Sequence, residues 1–260
     1  AGVERLSIGL QSWHDEELKT LGRIHTREDF LNAYQAARQA GFTNINIDLI
    51  AGLPGQTLDS FLNGLAGVLS LRPQHISVYG LQIEEGTPFF ERGVLCDQLL
   101  MRRMLEETHR RLCTAGFEHY EISNFALPGC RALHNTHYWQ NGEYVGLGAA
   151  AVSYLNGRRS QNTANIAEYI QKINRGESAV VFEETLEGKA KLGESLMLGL
   201  RQLDGFAPSK SMWRAFGKEI DKHIQNGLLA QKNNTIKLTF EGLFLANEVF
   251  YSFVAPFEDA

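Results

Sequence analysis

An α/β fold, a partial (β/α) barrel followed by a winged-helix-like C-terminal unit, is what this sequence predicts. Three observations carry the prediction. Apolar runs of strand length alternate with amphipathic stretches of helical period, polar side chains stand at the downstream ends of those runs, and from Glu183 onward short helices give way to a hairpin.

The first run, Arg5 to Leu10, ends in Gln11-Ser12-Trp13, so its C-terminal end presents an amide. Asp15 to Leu21 reads as a short turn region. Thr26 with Asp29 three residues on forms a capping box, Phe30, Ala33, Tyr34 and Ala37 recur at helical spacing, and Gly41 stops the helix. The second run, Asn44 to Ile50, is too short for a helix and reads as a buried parallel strand with Asp48 near its downstream end. A charge in such a run costs stability unless it is paired, so Asp48 either binds something or holds a neighbour in place. Gly52, Pro54 and Gly55 then make a tight turn, and Thr57 caps a helix over Leu58–Ser70 with Phe61, Leu62, Leu65, Val68 and Leu69 as its buried stripe. Pro73 ends that unit, and His75 to Leu81 forms a third strand leading to Gln82.

Right-handed crossovers make these three strands parallel. Ile8-Gly9-Leu10-Gln11 lacks the glycine fingerprint of a doubly wound dinucleotide fold, and the loop after Asp48 lacks the Gly-Lys-Ser/Thr of a P-loop. Polar residues at successive strand ends favour the barrel. Three segments follow: a barrel segment over 1–95, an extension over 96–182, and the C-terminal domain over 183–260.

In the extension, Asp97 to Ala115 is a long helix closed by Gly116, and His119 to Phe125 is a strand. His134-Asn135-Thr136-His137-Tyr138-Trp139 follows as a loop, then the glycine-rich Tyr144 to Ala151. Two histidines and two aromatics within six residues either ligate iron and stack on a flat ligand, or form a polar turn whose rings pack on the core. Beyond Glu183, Leu192, Leu196, Leu200 and Leu203 line one helix, Trp213 and Phe216 mark a second and Ile220 to Ile224 a third. Leu228–Gln231 and Ile236–Thr239 pair across Asn233-Asn234, and Glu241 to Phe250 forms the last helix.

The 260 residues, 43% apolar and 21% charged, suffice for a sizeable core. A net charge of −5, and nine Lys and Arg against eleven Asp and Glu from Glu183 onward, argue against nucleic acid as a partner. Cys96, Cys113 and Cys130 are odd in number and match no metal spacing, which predicts reduced thiols and a cytoplasmic location. No run is long enough to span a bilayer.

Val3 to Ser12, Leu21-Gly22-Arg23-Ile24-His25, Asn46 to Ile50 and Gly52 to Thr57 resemble radical-SAM proteins of the oxygen-independent coproporphyrinogen oxidase group, and the likeness spans essentially the whole chain. Within that group, His134-Asn135 with Tyr138-Trp139 resembles the HNxxYW signature of HemW-type haem chaperones, which the true oxidases lack. The resemblance implies S-adenosylmethionine contacts at Gln11, Arg23 and Asp48, with Gln82 as a further lining residue, and a haem site at His134, Asn135, His137, Tyr138 and Trp139, with His134 on the iron and His137 as either ligand or support. It also implies haem and apo-haemoproteins, some at a membrane surface, as partners. The family's CxxxCxxC loop for a [4Fe–4S] cluster is absent here, which suggests a fragment lacking the first quarter to third of the protein. Val152 stands where relatives often carry histidine. Two rival functions remain at this stage, a radical-SAM coproporphyrinogen oxidase and a degenerate scaffold.

Overall fold

The computed structural model describes residues 2–254 and divides into two compact units, one up to Arg131 and one from Ala132 onward. The first unit runs β1 (Arg5–Gln11), α1 (Asp15–Thr20), α2 (Arg27–Gln39), β2 (Asn44–Ala51), α3 (Leu58–Ser70), β3 (His75–Gly80), α4 (Pro88–Glu91), α5 (Gln98–Thr114), β4 (Glu118–Glu121) and β5 (Asn124–Ala126). Its sheet has the order β1-β2-β3-β5-β4, with the first three strands parallel and β5 antiparallel to both neighbours.

Alternation along the strands decides which face is core. Ile45, Ile47, Leu49, Ile76 and Val78 are buried with Phe30 and Tyr34 of α2, Phe61, Leu65 and Val68 of α3, and Met104 and Leu112 of α5. The helices start where short polar side chains satisfy their free N–H groups: Thr26 and Asp29 cap reciprocally, Thr57 accepts from the Ser60 N–H, and Asp97 accepts from Leu100.

Two expectations in this unit need correction. The stretch Asp15 to Leu21 is not a turn but the helix α1, with Leu18 buried. The single strand over His119–Phe125 is instead a tight hairpin, because Ile122-Ser123 reverses the chain and lets β5 pair with β3 and β4 at once.

The second unit runs α6 (Leu133–Trp139), β6 (Val152–Leu155), β7 (Arg158–Asn162), α7 (Ile166–Asn174), β8 (Val180–Thr185), α8 (Gly188–Gly199), α9 (Lys210–Gln225), β9 (Leu229–Lys232), β10 (Thr235–Leu238), α10 (Phe240–Phe244) and α11 (Ala246–Tyr251). Strands β6, β7 and β8 form an antiparallel sheet, and β9 and β10 form the hairpin of the winged-helix-like part, extended by a bridge from Phe206 to Ile236. Phe216, Ile220, Leu196, Leu200 and Phe253 are fully buried there, and the Trp213 indole donates to Asn234 at the hairpin turn.

The two helices expected around Trp213 and Ile220 are the two halves of α9, which meet at a kink where Phe216 leaves helical geometry at φ −134°. Two corrections belong to this unit. The His134–Trp139 segment is a short helix rather than a loop. The last helix is two, broken at Leu245. No helix among the described residues is long and apolar enough to cross a membrane.

Candidate functional site

The face of the β1-β2-β3 sheet opposite the core is polar because three strands alternate in step. Ser7 pairs with Asn46 and Asn46 with His75, while Gly9 pairs with Asp48 and Asp48 with Ser77, so all six share one face. Asn46, His75 and Ser77 are buried and Ser7 and Gly9 are exposed, so the face is covered at one end and open at the other.

A hydrogen-bond chain crosses this face toward the Asp48 carboxylate. Asn46 donates its amide to Asp48 Oδ1 at 2.7 Å and to Ser7 Oγ at 2.7 Å, and Ser7 donates to Asp48 Oδ2 at 3.0 Å. With Nδ2 so engaged, Asn46 Oδ1 is an acceptor, taking the Ser77 hydroxyl at 3.1 Å and the His75 Nδ1–H at 2.6 Å. His75 Nε2 then accepts from the Tyr120 hydroxyl at 2.8 Å. Burial, with a smaller push from Arg5, moves the His75 pKa down to about 3, so this neutral tautomer is the stable one. Each carboxylate oxygen of Asp48 holds one donor and keeps capacity for a second.

Gln11 ends β1 at a register irregularity, with φ at +70°. Its amide folds back over Gly9, the strand neighbour of Asp48: a Cβ on Gly9 would stand 2.6 Å from Gln11 Nε2. The loops around it are tied together by Glu17, which accepts from the Ser12 hydroxyl (2.5 Å), the Gln56 amide (2.8 Å) and the Ser60 hydroxyl (2.5 Å). Gln56 in turn accepts from the N–H groups of Gly52 and Leu53, which fixes the glycine-proline turn.

Arg23 is exposed on the connection after α1, which His25 ties to β1 through Leu10 O at 3.2 Å. Its guanidinium has no hydrogen bond or ion pair among the described residues. Gln82 is exposed just beyond β3. The structure therefore brings Gln11 and Asp48 to one face and the same end of neighbouring strands, and leaves Arg23 and Gln82 on connections. Sequence reasoning missed Ser7, Gly9, Asn46, His75 and Ser77. The signal that could have found them is the alternation in Arg5-Leu6-Ser7-Ile8-Gly9, Asn44-Ile45-Asn46-Ile47-Asp48 and His75-Ile76-Ser77-Val78.

The second candidate site is built in the second unit around α6. A left-handed Asn141 (φ +54°) ends this helix: Asn141 N–H donates to Tyr138 O and Gly142 N–H to His137 O, a Schellman closure. Tyr138 stands edge-on to both His134 and Tyr144, each at 4.6 Å, and Tyr144 bridges Tyr154 on β6. The Arg201 guanidinium lies 4.3 Å over the Trp139 ring, whose buried Nε1 has no hydrogen-bond partner among the described residues. Tyr138, Trp139, Tyr144, Tyr154, Arg159 and Met197 are among the residues lining a cavity of about 500 Å³. Arg159 is held by Glu184 at 3.0 Å and Glu194 at 2.5 Å. His134 and His137 are exposed, and Asn135 is half-buried.

The three cysteines are free, and no group of three or more His, Cys, Asp or Glu side chains among the described residues could hold a metal ion. The donors present do not fit an iron–sulfur cluster. They do fit S-adenosylmethionine: a carboxylate with spare acceptor capacity, an amide beside it and a guanidinium unpaired among the described residues.

The parallel strands β1 and β2, with Gln11 and Asp48 toward their downstream ends, lie within residues 1–64, the part of the chain that the Radical SAM superfamily model matches. The solved structure of coproporphyrinogen III oxidase (HemN) from Escherichia coli superposes with a TM-score of 0.80 over 98% of this chain and 64% of that one, at 22% identity, which shows a shared fold. Heme chaperone HemW of Bacillus subtilis is 35% identical over 98% of this chain and 70% of its own length. The Lactococcus lactis protein of the same name is 34% identical with the same coverage. The chain belongs to the HemW family.

Proposed function

We propose that this protein is a cytoplasmic haem chaperone: it binds haem through the α6 segment, hands it to apo-haemoproteins, some of them at a membrane surface, and binds S-adenosylmethionine at the sheet end. The observation that carries the haem reading is the placement of His134, Asn135, His137, Tyr138 and Trp139 on one short helix whose aromatics line a cavity of about 500 Å³. A cavity of that size, walled mostly by aromatic and apolar side chains with Asn141, Arg159 and Glu194 among them, suits a flat, largely apolar ligand. One of the two exposed histidines supplies the iron ligand.

At the sheet end, Asp48 accepts from ribose hydroxyls or the ammonium of S-adenosylmethionine, Arg23 offers its fork to the methionyl carboxylate, and Gln11 and Gln82 complete the lining. Bound next to a [4Fe–4S] cluster, that cofactor supplies radical chemistry. What this chain contributes is the holding of the cofactor: Ser7 and Asn46 orient the carboxylate, and His75 and Tyr120 orient Asn46. Net negative charge makes nucleic acid a poor partner.

Haem titration followed by absorbance, with transfer to a haem-free acceptor protein, tests the function. Saturable binding followed by loading of the acceptor is the expected result. Consumption of coproporphyrinogen III without haem binding would instead make it an oxidase.

A further inference from the structure

The cavity beside α6 is walled mostly by rings and alkyl chains, and the charges on its wall are already paired with each other. Of the described residues lining it, Arg159 is the one cation and Glu194 the one anion. Arg159 stands on the middle strand β7, opposite Tyr154 on β6 and Glu184 on β8. Its guanidinium donates through Nη1 to Glu184 at 3.0 Å and through Nη2 to Glu194 at 2.5 Å, so both arms of the fork are occupied. The Glu194 side chain is only 13% exposed. Arg201, the other guanidinium of this region, lies over the Trp139 ring and is not part of the lining.

One guanidinium between two carboxylates leaves negative charge in excess on this wall. An incoming carboxylate meets no open cation there. To reach Arg159 it has to displace Glu194, which then stays behind without its partner. Burying a carboxylate unpaired is strongly unfavourable. Methyl and vinyl groups meet no such barrier, since Val152, Met197, Leu198 and the tyrosine rings offer them apolar contact.

The wall therefore sorts tetrapyrroles by where their carboxylates lie. Protohaem carries its propionates on neighbouring pyrroles, so its opposite edge bears only methyl and vinyl groups. Coproporphyrin III carries a propionate on every pyrrole, so whichever edge enters brings a carboxylate to the wall. Resting on the haem reading, we propose that the Glu184–Arg159–Glu194 triad is the specificity determinant of this cavity: it admits an iron porphyrin by a carboxylate-free edge, keeps the propionates outside, and rejects porphyrins carboxylated all round. Selection of this kind comes from an unfavourable contact with the wrong ligand rather than from a stronger contact with the right one.

The test titrates the purified protein and Glu194→Gln with protohaem, iron coproporphyrin III and the tetramethyl ester of iron coproporphyrin III, followed by absorbance. The glutamine keeps an oxygen for Arg159 and removes the charge. The ester keeps the bulk of the propionates and removes their charge, so it separates charge from size without any substitution. Wild type should bind iron coproporphyrin III at least about tenfold more weakly than protohaem, and the ester should recover most of that loss. Glu194→Gln should narrow the gap to about threefold, with protohaem binding within about twofold of wild type and an unchanged melt. If the variant melts early, the ester comparison in the wild type still decides. Equal wild-type affinity for protohaem and iron coproporphyrin III overturns the proposal. So does an ester bound as weakly as the free acid, which would make size the filter, or an unchanged gap in a Glu194→Gln variant that folds as wild type. A wild-type protein that binds none of the three overturns the haem reading itself, a distinct outcome.

Discussion

Gly9 has no side chain, and the Gln11 amide uses the space beside the strand neighbour of Asp48. Gly9→Ala should therefore push that amide aside while leaving the strand intact, because φ at Gly9 is not in the left-handed region. Calorimetric titration should show S-adenosylmethionine affinity falling about tenfold, near 1.4 kcal/mol, with the melting temperature little changed. Unchanged affinity would remove Gln11 from the site. His75 gives a prediction about pH. Its folded pKa, held near 3 by burial, lies below the usual 6.5, so the unfolded chain binds the proton and the folded chain does not. The stabilisation is complete above pH 6.5 and is lost as pH falls toward 3, each unit being worth roughly 1.4 kcal/mol. His119, half-buried and stacked on Phe125, is pushed down to about 4 by desolvation and acts with the same sign. Melting temperatures between pH 7 and 5 should fall, and a His75→Asn variant should show a shallower slope; an equal slope would show that His75 does not drive it. Asp48 was legible in the sequence as one charge in an apolar run. Its partners were not, because the run was taken as buried on both faces when every second residue was polar.

Elements were legible where caps and period agreed. Helices α2 and α3 begin at Thr26 and Thr57 as the sequence says, since the hydroxyls at those positions satisfy free backbone N–H groups. Helix α6 was illegible: it has seven residues, and its N-cap, Ala132, makes no side-chain capping bond. The β6–β8 sheet was missed for another reason. Strand β7, Arg158-Arg159-Ser160-Gln161-Asn162, has no apolar residue to alternate, so only its turn marks it. That turn, Asn156-Gly157, has φ values of +52° and +76°, the pair that a two-residue hairpin requires. Gly157→Val should strain it by about 1–2 kcal/mol, lowering the melting temperature by roughly 2–8 °C, whereas Asn156→Gly should be tolerated. A melt for Gly157→Val identical to wild type would mean that the turn does not hold this conformation. Because β7 carries Arg159 to the cavity wall, the same valine should also weaken haem binding.

At the scale of the whole molecule, the sequence showed the parallel βαβαβ segment because its three units repeat, and the winged-helix-like end because its hairpin is bounded by turn residues. The stretch between them carried least pattern and holds most of the second candidate site. Two compact units with separate candidate sites make a spatial prediction. A ligand stabilises the state it binds by RT ln(1 + [L]/Kd), about 2.7 kcal/mol at a hundredfold excess over Kd. That stabilisation suppresses opening chiefly in the elements that contact it. In hydrogen exchange with and without saturating haem, peptides covering α6, the glycine-rich turn through β6, and α8 should slow by up to about a hundredfold. Peptides covering β1, β2 and β3 should exchange unchanged, since their polar chain from Tyr120 to Asp48 is complete without haem. Added S-adenosylmethionine should reverse the pattern by slowing the ends of β1 and β2 and leaving α6 alone. Protection by haem in β2, or in no peptide of the second unit, would place haem away from the His134–Trp139 helix.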